Sequence, residues 1–172
     1  MTSYSGQDFS GKNLKFSSFT KCHFSGCNFS QAVFDFTSFD NCVFDGCCFS
    51  GTDFSNINLK QSKFINTLMN LTTFHQFKNP GQKKKFNLSK SIFENCNLTE
   101  SLFDFCLLEQ VSFLNSDLTK SSFNKCSIAN SDFTNSQIYG INFIDCTLSK
   151  NKLNIDGFVQ FGQSHGFILN SE

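Results

Sequence analysis

The sequence predicts an all-β solenoid, a chain wound into a short square column. Three observations predict it: a large apolar residue at every fifth position, cysteines spaced by twenty, and a composition skewed towards one aromatic residue. Of the 172 residues 25 are Phe, none is Trp, and all 14 basic residues are Lys. An apolar fraction of 39% stands beside only 16% charged residues. A bias of this kind marks internal repetition.

In the first block, residues 4–74, the repeat centres are Tyr4, Phe9, Leu14, Phe19, Phe24, Phe29, Phe34, Phe39, Phe44, Phe49, Phe54, Leu59, Phe64, Met69 and Phe74. In the second, residues 88–158, the period resumes one residue out of phase, from Leu88 and Phe93 through Phe143, Leu148, Leu153 and Phe158. A helix would rotate each successive centre by about 140° and scatter the Phe side chains over every face. A flat strand would send every second one to the opposite side. Only a chain that turns a corner about every five residues aims them all inward.

Cysteines give the number of corners. Cys22 and Cys42, Cys27 and Cys47, and Cys106, Cys126 and Cys146 are separated by twenty residues, so four pentads close one coil. About thirty centres then make roughly seven coils, and strands about 4.8 Å apart give a rod roughly 35 Å long. From Leu88 to Leu148 Phe and aliphatic centres alternate, which places Phe on two opposing walls and Leu or Ile on the other two.

Segments such as Cys27-Asn28-Phe29-Ser30-Gln31, Thr52-Asp53-Phe54-Ser55-Asn56 and Ser131-Asp132-Phe133-Thr134-Asn135 carry a small residue two before the centre, Asp or Asn just before it, and polar residues after it. In this pattern the chain resembles the pentapeptide-repeat family over residues 4 to about 158. The resemblance implies a right-handed quadrilateral parallel β-helix in which the centre and the residue two before it point inward. It also implies a non-enzymatic protein. Several members of the family bind type II topoisomerases such as DNA gyrase, and relatives often dimerise end to end through their C-terminal coils.

All cysteines except Cys48 occupy the position two before a centre, where a small buried residue is required and Cys packs as a small hydrophobe. Stacked thiols there point in parallel, unlike a disulfide, which fits a reduced, cytoplasmic setting. No CxxC pair occurs, and His23, His75 and His165 lie at no ligand-like spacing from the cysteines, so neither a metal nor another cofactor is expected. Cys48 should face outward as the reactive thiol. No nucleophile and base stand in a recognisable order, which points away from an enzyme.

The interruption, residues 75–87, reads HQFKNPGQKKKFN and should protrude as a loop. With Phe77, Lys78, Lys83, Lys84 and Lys85 and no acid it is a candidate partner-binding loop; a solvated insertion is the other reading. Gyrase-protecting members of the family carry projecting loops needed for activity. Phe16 and Phe36, two residues after their centres and twenty apart, stack on one side of the rod as an aromatic contact patch or as mutual shielding. In the tail, residues 159–172, Phe161, Phe167, Ile168 and Leu169 either cap the open last coil or meet a second copy in a homodimer.

A duplex carries one charge per about 1.7 Å, so a 35 Å DNA mimic needs on the order of twenty negative charges. This chain has 14 acids against 14 Lys; residues 88–172 hold nine acids and five Lys. A strong DNA mimic is therefore not predicted, nor is direct nucleic-acid or membrane binding. The expected partner is a protein: either a type II topoisomerase protected from quinolones or a toxin, or an unrelated target of a general interaction scaffold.

Overall fold

The computed structural model describes residues 2–75 and 84–170. Its strands follow in chain order: β1 (Ser3–Ser5), β2 (Ser18–Thr20), β3 (His23–Ser25), β4 (Ser38–Asp40), β5 (Val43–Asp45), β6 (Lys63–Ile65), β7 (Thr73–His75), β8 (Phe86–Asn87), β9 (Ile92–Glu94), β10 (Leu102–Asp104), β11 (Cys106–Glu109), β12 (Ser122–Asn124), β13 (Ser127–Ala129), β14 (Asn142–Ile144) and β15 (Thr147–Ser149). All pair in parallel, Tyr4 with Phe24 and Phe24 with Phe44 on the first wall, Phe103 with Phe123 on the third. The result is a four-walled β-solenoid of about seven coils.

Each pentad builds its corner by the same chemistry. The residue two after the centre takes positive φ, from Phe16 at 59° to Lys150 at 53°. This left-handed region favours Gly and Asn, and the corner between walls one and two accordingly stacks Gly6, Gly26 and Gly46 and then Asn66, Asn95, Asn115 and Asn135. Asp or Asn before the centre closes the turn with its side chain: Asp117 accepts from the Thr119 N–H at 2.9 Å and Asp132 from that of Thr134 at 2.9 Å.

The core consists of aromatic columns. On the first wall Phe64, Phe93 and Phe113 stack at 5.1 and 5.3 Å, and on the third Phe74, Phe103 and Phe123 stack at 4.7 and 4.5 Å. The two columns meet edge-on, Phe103 and Phe113 at 5.9 Å and 87°, an arrangement the ring quadrupoles favour. Phe thus occupies opposing walls in the second half, as the alternation predicts, while Leu98, Leu118, Leu108 and Ile128 fill the others.

The position two before the centre does more than leave room. Its side chain donates to the carbonyl of a centre in the coil before: Ser121 Oγ to Leu98 at 2.9 Å, Ser62 Oγ to Phe39 at 3.0 Å, and the thiols of Cys96 and Cys126 to Phe64 and Phe103 at 3.3 Å. Cys here stands in for Ser as a donor and is not only a small hydrophobe.

One wall is broken. On the fourth, no backbone hydrogen bond joins residues 57–61 to 86–90 among the described residues, so its strands divide into β2–β4 and β15–β13–β11–β8. The other walls remain paired across the same step, through Phe44 and Phe64, Cys48 and Leu68, and Asp53 and Thr73. The seam coincides with two bulky residues at the position reserved for small ones, Ile57 and Phe86, both buried.

Residues 92–94 pair with 63–65, a separation of 29 residues in place of twenty, so the sequence carries nine extra residues in this coil. The pairing runs further into the interruption than the register indicates: His75 lies in β7 and Phe86–Asn87 form β8. Phe158 is not a repeat centre. It lies in helix α1 (Ile155–Ser164), which Asn154 caps by accepting from the Gly157 N–H at 3.1 Å. A Cβ on Gly157 would fall 2.2 Å from Leu153, so only glycine lets the helix sit this close to the last coil.

Candidate functional site

The corner between the third and fourth walls carries the surface features that the repeat does not require. It runs Phe16, Phe36, Asn56, then, after the nine-residue insertion, Phe105, Lys125 and Asp145. Phe16 and Phe36 are 75% and 63% exposed, and their rings stack at 5.4 Å with planes 8° apart. Lys15 and Asp35 flank them as an ion pair of 2.8 Å.

Phe105 belongs to the same edge but is hidden in the sequence by the nine-residue shift. The Lys85 ammonium lies 5.7 Å from its ring centre, within cation–π range. Beside it His75 Nδ1 approaches Asp104 at 3.3 Å. Lys84 is exposed. Phe77, Lys78 and Lys83 lie outside the described residues. The structure therefore pairs Phe16 with Phe36 at one part of this edge and places Phe105, with Lys85 over its ring, three coils further along it.

The tail residues separate into two roles. Phe161 packs against the core, 6.3 Å from Phe143, as part of a cap. Phe167, Ile168 and Leu169 remain exposed, as do Ile155 and Phe158 on the outer side of α1. Together they bound an apolar hollow of about 310 Å³ at the C-terminal end.

The acids form no single face. They fall on the first wall at Asp45, Glu94 and Asp132, on the second or its corner at Asp8, Glu100 and Asp117, on the third at Asp35, Asp53, Asp104 and Asp145, and on the fourth at Asp40 and Glu109. No three metal-ligating side chains cluster among the described residues. No described helix is long and apolar enough to cross a membrane.

Burial raises the Cys42 and Cys146 thiols to about 11 and those of Cys47 and Cys96 to about 12. Cys48 is partly exposed. Burial raises its pKa as well, but hydrogen bonding with Ser30 at 3.1 Å and with Ser50 outweighs this and leaves it below the ordinary value. Titration of the native protein with a disulfide reagent at pH 8 should therefore show one of the nine cysteines reacting fast, and Cys48→Ser should remove that phase. A fast phase that survives the substitution would refute the assignment.

The sequence matches the profile of the Pentapeptide repeat region over residues 17–80 and 86–156. No curated protein matches it. Among solved structures it is similar to full-length QnrB1, a plasmid-mediated fluoroquinolone resistance protein, at 18% identity over 96% of this chain and 98% of that one, with a TM-score of 0.38. It is also similar to Rfr23 from the cyanobacterium Cyanothece 51142, at 11% identity over 88% and 91% of the two chains, TM-score 0.40. HetL from the cyanobacterium Nostoc sp. strain PCC 7120 follows at 11% identity over 87% and 84%, TM-score 0.31. The profile covers most of the chain, and the coil registers, positive-φ corners and inward Phe columns are the ones its repeat requires: the chain belongs to the pentapeptide-repeat family.

Proposed function

We propose that this protein is a non-enzymatic binding rod whose contact surface is the edge between the third and fourth walls, and that its partner is a type II topoisomerase, gyrase or topoisomerase IV, which it protects from quinolones or a toxin. The observation that carries the reading is the placement of Phe16 and Phe36. A non-glycine residue in the left-handed region costs about 1–2 kcal/mol, and Asn56 on the same edge shows what the corner would accept with less strain. Exposed aromatic rings held at such positions serve contact better than folding. The spread of the acids over four walls favours contact through this edge and its loop over DNA mimicry.

The test is a gyrase supercoiling assay with a fluoroquinolone present. Intact protein should restore supercoiling; a variant with residues 76–83 replaced by a short Gly-Ser turn, or with Phe16→Asn and Phe36→Asn, should not, while its thermal midpoint stays within a few degrees. Absence of both rescue and gyrase binding with intact protein would leave the second reading, a scaffold for another protein, which the balanced charge favours.

The exposed apolar end formed by Ile155, Phe158, Phe167, Ile168 and Leu169 supports a C-terminal homodimer. Light scattering should then give twice the mass of 19.4 kDa, and Phe158→Asp with Ile168→Asp should give the single-chain mass. A native protein that is monomeric at micromolar concentration would overturn the dimer.

A further inference from the structure

The aromatic core ends unevenly beneath helix α1. The third-wall column passes from Phe123 to Phe143 at 5.3 Å and stops there, and the fourth-wall column stops at Leu148, which is half exposed. Phe161 of α1 reaches over Phe143 at 6.3 Å, but its ring is tilted by 45° and does not stack as the rings below it do. Between the last coil and the helix lies a hollow of about 240 Å³, bounded by Phe143, Leu148, Lys150, Leu153, Phe158 and Phe161. It lies on the inner side of α1, and only Phe158 borders both it and the outer hollow made by α1 and the tail.

The polar groups at its rim are donors. No acid lines it, and the Lys150 ammonium makes no ion pair among the described residues. In the two coils before, the N–H at this corner donates onward, Gln110 to Ala129 and Asn130 to Ser149, both at 2.9 Å; the Lys150 N–H has no such partner among the described residues. Leu148 is in the same position. It lies on β15, the edge strand of its wall, and its N–H lacks the onward bond that Leu88 makes to Leu107 at 3.0 Å. Asn151, by contrast, is fully used within the coil, accepting from the Ser131 N–H and donating to the Ile128 carbonyl, each at 3.0 Å.

We propose that this hollow binds a planar aromatic monocarboxylate. Its ring continues the Phe column beyond Phe143, and its carboxylate accepts from the Lys150 ammonium and from the rim N–H groups of Leu148 and Lys150. Hydrogen bonds from an ammonium and from backbone N–H groups to a carboxylate are charge-assisted, which selects an anion over a neutral ligand. The floor presents ring faces, which selects an aromatic body over an alkyl chain. The volume falls just below the range of about 300–1,000 Å³ for drug-sized ligands and limits the occupant to one or two rings. The inference requires neither the topoisomerase nor the C-terminal dimer.

The probe is 2-naphthoate, titrated calorimetrically into the full chain. One equivalent should bind, with saturation below about 1 mM. Naphthalene-2-carboxamide, which keeps the ring without the charge, and octanoate, which keeps the charge without the ring, should each bind at least about fivefold more weakly. Lys150→Gln, a residue the same corner already carries as Gln110, should weaken naphthoate by at least about fivefold. Leu148→Trp fills the hollow from a half-exposed position and should abolish binding, with the thermal midpoint of both variants within a few degrees of native. Intermolecular NOEs should join the naphthoate ring to Phe143 and Leu148. Equal binding of octanoate or of the carboxamide, unchanged binding by Lys150→Gln, no saturation, or NOEs to Ile168 and Leu169 in the outer hollow would overturn the proposal. So would binding that disappears as light scattering shows the chain doubling its mass, because a second copy would then fill the hollow.

Discussion

Phe103→Ala should destabilise the protein by about 3–5 kcal/mol, the range for emptying a buried aromatic site. Its ring is fully buried, stacks on Phe74 and Phe123 at 4.7 and 4.5 Å, and meets Phe93 and Phe113 edge-on at 6.5 and 5.9 Å. Truncation removes contacts in its own column and with the opposing one at once. Neighbouring coils cannot collapse into the space because the ladders on the first and third walls fix their spacing. The loss should appear in urea denaturation as a lower midpoint. Because coils in a solenoid interact mainly with their neighbours, hydrogen exchange should rise first near residues 102–104 and 122–124. A loss below about 1 kcal/mol would show that the Phe columns are not the main source of stability.

Much of this architecture is legible in the sequence because one rule, a large apolar centre every five residues, determines which side chains point inward. The twenty-residue cysteine spacing gives four walls, and the Leu–Phe alternation after residue 88 gives their pairing. What the period does not reveal is interaction between coils. Phe105 occupies the same repeat position as Phe16 and Phe36, but its place on their edge emerges only when the nine inserted residues are subtracted. The seam has a local signal as well. Ile57 and Phe86 stand where Ser, Thr, Cys and Ala dominate, yet that they sit in adjacent coils on either side of the broken wall emerges only in space. Helix α1 was hidden for another reason: Leu153 and Phe158 continue the period of five, while the Asn154 cap and the close approach of Gly157 to Leu153 override it.

The same logic predicts the effect of introducing a bulky residue at an inward small position. Ser121 is fully buried and its hydroxyl donates to the Leu98 carbonyl at 2.9 Å. Ser121→Leu leaves that carbonyl without its side-chain donor, a loss of about 1–3 kcal/mol, and overpacks the wall at a further cost of about 1–3 kcal/mol. Together a loss of about 2–6 kcal/mol is expected in urea denaturation. Ser121→Cys should cost less than about 1 kcal/mol, because the thiols of Cys96 and Cys126 already make the equivalent bond at 3.3 Å in other pentads. The amide of Ser122, which donates to Ser101 at 2.9 Å, and that of Asn142, which donates to Ser121 at 3.0 Å, should lose exchange protection in the Leu variant only. That outcome would reproduce on the third wall the loss of pairing found beside Ile57 and Phe86 on the fourth. If the Leu variant keeps both amides protected, bulk alone does not open a wall, and the seam must owe its existence to the nine-residue insertion in the sequence of that coil.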